Sequence, residues 1–222
     1  MSFRSEDAAT DVAESVAKKR RRILPKAERR RQLIEATIRC IAQHGLSATT
    51  MQLVTQEAGL SLGIANLHFD SKDNLLKETL RFVAEEYHGG QIAIMESDQI
   101  VDLGERLEAL LDFQLGQGVT ERQKMAVWFA YYGEAGARPV YQKIVSTNDR
   151  LAGRKLEVLF SAIIKQGGYE GRDPRQLATG YMALIDGLHL SLLITPKELS
   201  KRRAKAAARD FLRRAFPEHI RA

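Results

Sequence analysis

Apolar side chains along this chain recur at three- and four-residue spacing and seldom alternate, which is the periodicity of helices with one buried face. From Lys26 onward, Leu33, Ile34, Ile38, Ile41 and Ala42 repeat in this way until His44 and Gly45 stop the run as a C-cap would, predicting a first helix. A second helix is predicted after Thr50 as N-cap, with Met51, Val54 and Ala58 on one face and Gly59 supplying a sharp left-handed turn. Leu60 plugs the angle that follows. Ser61 then caps a short third helix, anchored by Ile64 with either Ala65 or Leu67. Ser71, three residues before Asn74 and with Asp73 in the first turn, opens a long fourth helix with Leu75, Leu76, Leu80 and Val83 as its stripe. Gly89 and Gly90 are expected to interrupt that helix near its end. Further helices are predicted near 101–117, 120–134, 137–166, 173–194 and 200–215, and the polar residues 1–24 are expected to form a disordered arm.

This pattern implies an all-α protein, and 222 residues with only 5 Pro suit a small domain joined to a larger one as well as a single mid-sized domain. The expected division is an arm over 1–24, a three-helix unit with a helix-turn-helix over 25–71 and a larger helical unit over 72–222. Charge sharpens the division. Residues 18–72 carry eleven Lys or Arg against four Asp or Glu, while residues 73–222 carry 22 against 20. A basic surface confined to one small module is the footprint of phosphate binding, since each neutralised phosphate releases counterions. A solvated tail is the competing reading for the "KKRRR" run at 18–22.

Other classes are disfavoured. His44, His68, His88, His189 and His219 show no metal-ligand spacing, and no nucleophile sits in a recognisable motif, so neither an enzyme, a metal site nor a cofactor is expected. The single Cys40 cannot form an internal disulfide and the charged N-terminus lacks the apolar stretch of a signal peptide, which points to the cytoplasm. The apolar segment "GYMALIDGLHLSLLI" is interrupted by Asp186 and His189, so no membrane span is expected.

In the third helix Leu62, Gly63, Asn66 and His68 point away from the anchor, as a helix laid in a groove requires. Two helices joined by a Gly-containing turn after a basic helix make a helix-turn-helix whose second member can enter the DNA major groove; a hairpin that merely packs is the alternative. Lys72 sits where a helix N-terminus already favours an anion, so a phosphate is its natural partner.

The motifs "HGLSATT", "AGLSLG" and "LHFDSK" resemble the DNA-binding domain of the TetR family of one-component bacterial regulators over residues 27–76. The resemblance implies that Thr50, Ser61, His68 and Lys72 hold the DNA backbone while Gln52, Leu62, Gly63, Ile64 and Asn66 face bases. Asn66 and Gln52 can bond bidentately to adenine, and Leu62 or Ile64 can touch a thymine methyl. Where the family carries a tyrosine, this chain has Leu67 followed by His68, so His68 would supply that contact, unless it is a core histidine held by a backbone carbonyl. Arg20, Arg21 and Arg22 with Arg29, Arg30 and Arg31 would add phosphate or minor-groove contacts.

One such module reads too few base pairs to find a genomic site, so residues 72–222 are expected to supply a homodimer and a ligand-binding sensor. The segment opened by Asp173 and Pro174 is apolar almost all round. With the helix after it, it is expected to pair with its own copy through Tyr181, Leu184, Ile185, Asp186, Leu188 and Leu192. Asp186 there could set dimer register, meet a ligand or be locally hydrogen-bonded. The stretch "VWFAYYGEAGARPVY" concentrates Trp128, Phe129, Tyr131, Tyr132 and Tyr141 beside Glu134, either as plain core or as the wall of a pocket for a cation. With "ALIDGLHL" it is similar to the effector domain of the choline-responsive betaine-synthesis repressors, the BetI-type branch, which implies a quaternary ammonium or related small amine as effector. The expected function is a sequence-specific regulator, in the main a repressor, that binds a palindromic operator on double-stranded DNA and is released by its effector. A nonspecific nucleic-acid-coating protein or a helical scaffold without ligand response is the alternative.

Overall fold

A computed structural model describes residues 25–136 and 138–220, so the expected arm with Arg20, Arg21 and Arg22 lies outside the described residues. Those residues form nine helices and no strand: α1 Lys26–His44, α2 Met51–Ala58, α3 Leu62–Phe69, α4 Lys72–Met95, α5 Leu103–Gln114, α6 Arg122–Ala135, α7 Pro139–Gly167, α8 Pro174–Ile194 and α9 Lys201–Ala215. Local chemistry sets most boundaries. The side chains of Thr50, Ser61 and Ser71 accept from the N–H groups of Leu53, Ile64 and Asn74 at 3.2, 3.4 and 3.1 Å, and Asp173 accepts from Arg175 at 2.8 Å, so each satisfies an otherwise orphaned helix donor. Gly59 turns the chain between α2 and α3 with φ of 63°, a conformation that costs a residue with a Cβ.

One expected boundary is wrong. Helix α4 runs through Gly89 and Gly90 to Met95 without interruption. The reason for Gly90 is tertiary, because a Cβ there would lie 2.2 Å from Cζ of Phe113 on α5. The missing side chain lets the ring sit against the α4 backbone, and packing outweighs the roughly 1 kcal/mol that a mid-helix glycine costs.

Two apolar cores run through the chain, and they do not divide at residue 72. The first joins Leu33, Ile38 and Ile41 of α1, Val54 of α2, Ala65 and Phe69 of α3 and Leu75, Leu76, Leu80 and Val83 of α4 to Val127, Trp128 and Tyr131 of α6 and Tyr141 of α7. The second is built from α5, the later part of α7, α8 and α9, with Leu107, Leu110, Phe160, Tyr181, Leu212 and Phe216 buried in it. The hydroxyl of Tyr131 donates to the Leu76 carbonyl at 2.7 Å, so the aromatic helix is bonded to the helix that Lys72 begins.

Helix α8 is long and apolar enough to cross a membrane by length and composition alone. It instead packs against α6, α7 and α9, with Tyr181, Ile185, Leu188, His189 and Leu192 buried against this chain. One face of α8 is therefore packed into the chain and the other is open, with Ile194 65% exposed.

Candidate functional site

The first candidate surface is α3 with its flanks. Ala65 and Phe69, both 0% exposed, hold α3 down, while Leu62, Gly63 and Asn66 face solvent and Ile64 is half-buried. Leu67 is not an anchor: it is 75% exposed, one of the most solvent-facing apolar residues on the protein, and belongs to the outer face. Thr50, Gln52 and Ser61 are exposed beside it, so the helix-turn-helix presents a contiguous row of small, amide and hydroxyl side chains. Lys72 caps one flank and its ammonium donates to the Ser47 carbonyl at 3.2 Å, a contact that a phosphate can replace.

Four sequence-predicted contacts are placed differently from one another. Arg30 is a clamp, not a free phosphate donor: it pairs with Glu78, donates to the His68 carbonyl at 3.0 Å and lies 4.4 Å over the Phe69 ring. It thereby ties α1 to α3 and α4. Arg31 pairs with Glu35 at 2.8 Å on the exposed face, and Arg29 donates to Gln32 at 2.8 Å. His68 is half-buried, and its ring Nδ1 has no hydrogen-bond partner among the described residues. Burial, then Lys26, Arg30 and Arg29, lowers its pKa, which favours the neutral ring.

The second candidate site is a cavity of about 270 Å³ between α4, α5, α6 and α8, lined by Tyr87, Phe113, Trp128, Phe129 and His189 with Val83 and Met125. Its charged rim is already neutralised, since Glu86 pairs with Lys124 at 2.7 Å and Asp112 with Lys205 at 2.7 Å. His189 donates through Nε2 to the Gln114 carbonyl at 2.7 Å, and burial lowers its pKa, so it stands as a neutral wall.

Of the expected pocket residues, Trp128 and Phe129 reach this cavity, and Tyr132 packs on Trp128 at 5.1 Å. The other three are elsewhere. Tyr131 and Tyr141 are buried in the first core, edge-to-face at 5.1 Å. Glu134 lies in a separate hollow with Lys72, Asp73 and Arg138, paired to Arg138 at 3.2 Å. A helix turns 100° per residue, so neighbours in one aromatic run face different surroundings.

The sequence did not point to Tyr87, Phe113, His88 and Asp149 as site residues. Tyr87 lies 5.9 Å from Trp128, and His88 lies 5.7 Å from Trp128 with Nε2 3.2 Å from Oδ1 of Asp149. Asp186 joins this group. It is exposed on α8 and makes no hydrogen bond among the described residues, yet surrounding protein, then the Asp149 carboxylate, pushes its pKa up to about 6, with His88 opposing. Tyr132 shares the neighbourhood, its phenol raised by burial and then by Asp149 and Asp186.

Most of the residues expected at a dimer face pack inside this chain. Tyr181, Ile185, Leu188 and Leu192 are buried within the protomer, and the Tyr181 hydroxyl donates to Gln114 at 2.7 Å; Leu184 is half-buried and Asp186 alone of the six is exposed. The open face of α8 carries Gly180, Gly187, Leu190 and Ile194 instead, the last two 40% and 65% exposed.

Residues 33–79 match the bacterial regulatory proteins of the tetR family, and residues 104–217 match the C-terminal domain of BetI-type transcriptional repressors. The chain belongs to the TetR family. It is 29% identical over 184 residues to the HTH-type transcriptional regulator BetI 1 of Chromohalobacter salexigens, covering 83% of this chain and 88% of that protein. Escherichia coli K12 BetI is 27% identical over 189 residues, 85% of this chain and 94% of that protein. Among solved structures, a regulator from Saccharomonospora viridis in complex with choline superposes with a TM-score of 0.74 at 28% identity, over 84% of this chain and 96% of that one. A Pseudomonas aeruginosa PAO1 regulator gives 0.77 at 23% identity, over 92% and 99%, a likeness of fold alone. This TetR-family chain is accordingly a DNA-binding transcriptional regulator, with its helix-turn-helix at α2 and α3.

Proposed function

We propose that this regulator is a repressor that binds a palindromic operator as a homodimer and is released by a small organic ammonium, of the quaternary class or a close relative, held in the C-terminal unit. The observation that carries the reading is the aromatic cavity: Tyr87, Phe113, Trp128 and Phe129 meet around about 270 Å³. Ring faces attract a cation by about 0.5–2 kcal/mol each, more when desolvated, and tolerate the methyl groups of an ammonium that cannot hydrogen-bond. The choline bound to the Saccharomonospora viridis regulator supports the same class.

In this reading Asn66 and Gln52 read adenine edges, Leu62, Gly63 and Ile64 lie against bases, and Thr50, Ser61, His68 and Lys72 hold phosphates. Leu67 adds apolar contact from the outer face. Dimerisation uses the open face of α8, where Gly180 and Gly187 allow close approach beside Leu190 and Ile194. The protein acts on chromosomal DNA, in the cytoplasm.

Coupling follows the long helix. Tyr87 and Lys72 are both on α4, about 22 Å apart along its axis at 1.5 Å per residue, and Tyr131 bonds the aromatic helix to Leu76 between them. An effector that wedges Tyr87 and Trp128 apart tilts α4 and changes the separation of the two α3 helices across the dimer. Successive major grooves on one DNA face are about 34–36 Å apart, so a pair at another separation cannot seat both. The effector must prefer the unseated state by about 5.5 kcal/mol for a near-complete switch.

A gel-shift titration tests this. The protein is expected to prefer one palindromic duplex over random DNA by about a thousandfold or more, and choline is expected to release it. Equal affinity for random DNA would favour a coating protein, and equal choline affinity for free and operator-bound protein would end the induction scheme.

A further inference from the structure

The carboxylates that face the aromatic cavity are poor partners for a cation, because Glu86 and Asp112 are each paired with a lysine. Beside the same Trp128, on α4, α6, α7 and α8, a different set of groups is uncompensated. The Asp149 carboxylate lies close enough to Asp186 to raise its proton affinity, and neither makes an ion pair with Lys or Arg among the described residues. Asp149 has His88 as its ionic neighbour, 3.2 Å from Nε2. That contact is not aligned as a hydrogen bond: His88 is 3% exposed, and neither ring nitrogen has a hydrogen-bond partner. A buried imidazole without a partner costs free energy, as do two neighbouring carboxylates without a counter-charge. Trp128 and Tyr132, tilted against one another at 5.1 Å, complete the surroundings with aromatic rings.

We infer that the charged head of the effector is held by Asp149 and Asp186 against Trp128 and Tyr132, with His88 accepting or donating to a polar group of the ligand, and not by the cavity rim at Glu86 and Asp112. The inference rests on the proposed ammonium effector and names the groups that select it. A cation here relieves both deficits at once: it neutralises the carboxylate pair, and a hydroxyl or N–H on the ligand gives His88 its partner. The methyl groups of the head face the aromatic cavity, which shares Trp128 and Tyr87 with this set. The three-group geometry does not suit a metal, since no cluster of three potential ligands that could hold one exists among the described residues.

The test is calorimetry of the full chain with two probes, choline and ethylammonium. Replacing both carboxylates (D149N with D186N) is expected to weaken the better probe by about thirtyfold or more, the scale of losing a partly desolvated charge partner. The rim pair E86Q with D112N is expected to change it by less than about threefold. Equal losses in the two double variants, or a loss confined to the rim pair, would overturn the assignment. Should the double variant fold poorly, D186N alone, at an exposed position, is expected to weaken binding by about fivefold. In the wild-type chain, saturation with choline is expected to move the nitrogen resonances of the His88 ring, and their staying still would overturn the role of His88. Choline bound at this pair without operator release would defeat the proposed induction while leaving the site standing. A wild-type chain that binds neither probe would defeat both.

Discussion

Helices α3 and α6 carry the residues proposed to meet the two partners, and they are built in opposite ways. On α3 two side chains, Ala65 and Phe69, make the packing and nearly everything else faces outward. On α6 the same residue class serves both ends: Tyr131 is sealed in the first core, Trp128 is 9% exposed and walls a cavity, and Phe129 and Tyr132 are half-buried. Where recognition and packing occupy separate faces, residue type announces role. Where aromatic rings do both, type is silent and only the angle around the helix distinguishes them.

The sharpest way to break this contrast is at the anchor of α3. Phe69→Ala removes a fully buried ring that also seats the Arg30 guanidinium, and is expected to cost about 3–5 kcal/mol of stability in denaturant unfolding, with operator binding lost because α3 has no other large anchor. Leu67→Ala, on the outer face, is expected to change stability by no more than about 0.5 kcal/mol.

Within the outer face the roles separate by kind of loss. Asn66→Ala is expected to relax preference at one base position by about 1–3 kcal/mol, read by a binding-site selection. Lys72→Ala is expected to weaken all sequences alike and to reduce the salt slope by about one. The reverse pattern would exchange the two assignments.

The legible parts of this molecule were those set by neighbouring residues. Thr50, Ser61, Ser71 and Asp173 cap the helices they precede, because a cap is a bond over two or three residues. The row on α3 was legible for the same reason, apart from Leu67, whose side chain looks like an anchor in type but falls on the face opposite Ala65 and Phe69. Pairings over long separations were not. Arg30 reads as a phosphate contact until Glu78 is brought to it from α4, and the glycines at 89 and 90 read as a break until Phe113 is seen against Gly90. Likewise the apolar stripe of α8 is nearly continuous around the helix, so its buried edge cannot be told from its open edge by period alone. Asp149 comes to influence Asp186 only because α7 and α8 pack side by side.

On α6 the division between core and cavity predicts smaller, separable effects. Tyr131→Phe removes the hydrogen bond to the Leu76 carbonyl and is expected to cost about 1 kcal/mol of stability, with the ligand's affinity held, since Tyr131 does not reach the cavity. Tyr132→Phe leaves the packing on Trp128 and keeps a ring face, so its thermal midpoint is expected to move less than that of Tyr131→Phe.

The smallest effect, and the one that joins the two halves of the comparison, is the pH dependence at Asp186. Its pKa in the folded chain is raised to about 6 from an ordinary 3.8, chiefly because the protein around it takes away part of its hydration and then by Asp149 of α7, while His88 of α4 opposes; Tyr132 of α6 and Tyr87 of α4 are the phenols in the same field. A raised carboxyl means that the folded chain binds the proton more tightly than the unfolded one, so this group's stabilising contribution is full below about pH 3.8 and is lost as pH rises through about 6. Above that pH the ionised group works against the fold. Asp186→Asn is therefore expected to raise the thermal midpoint relative to wild type at pH 7.5 and to leave it unchanged at pH 4, with a modest amplitude because the side chain is solvent-exposed. Saturating choline should reverse the order at pH 7.5, since the carboxylate then has its counter-charge and the amide does not. A variant that kept its advantage under ligand would return Asp186 to a purely structural place on α8.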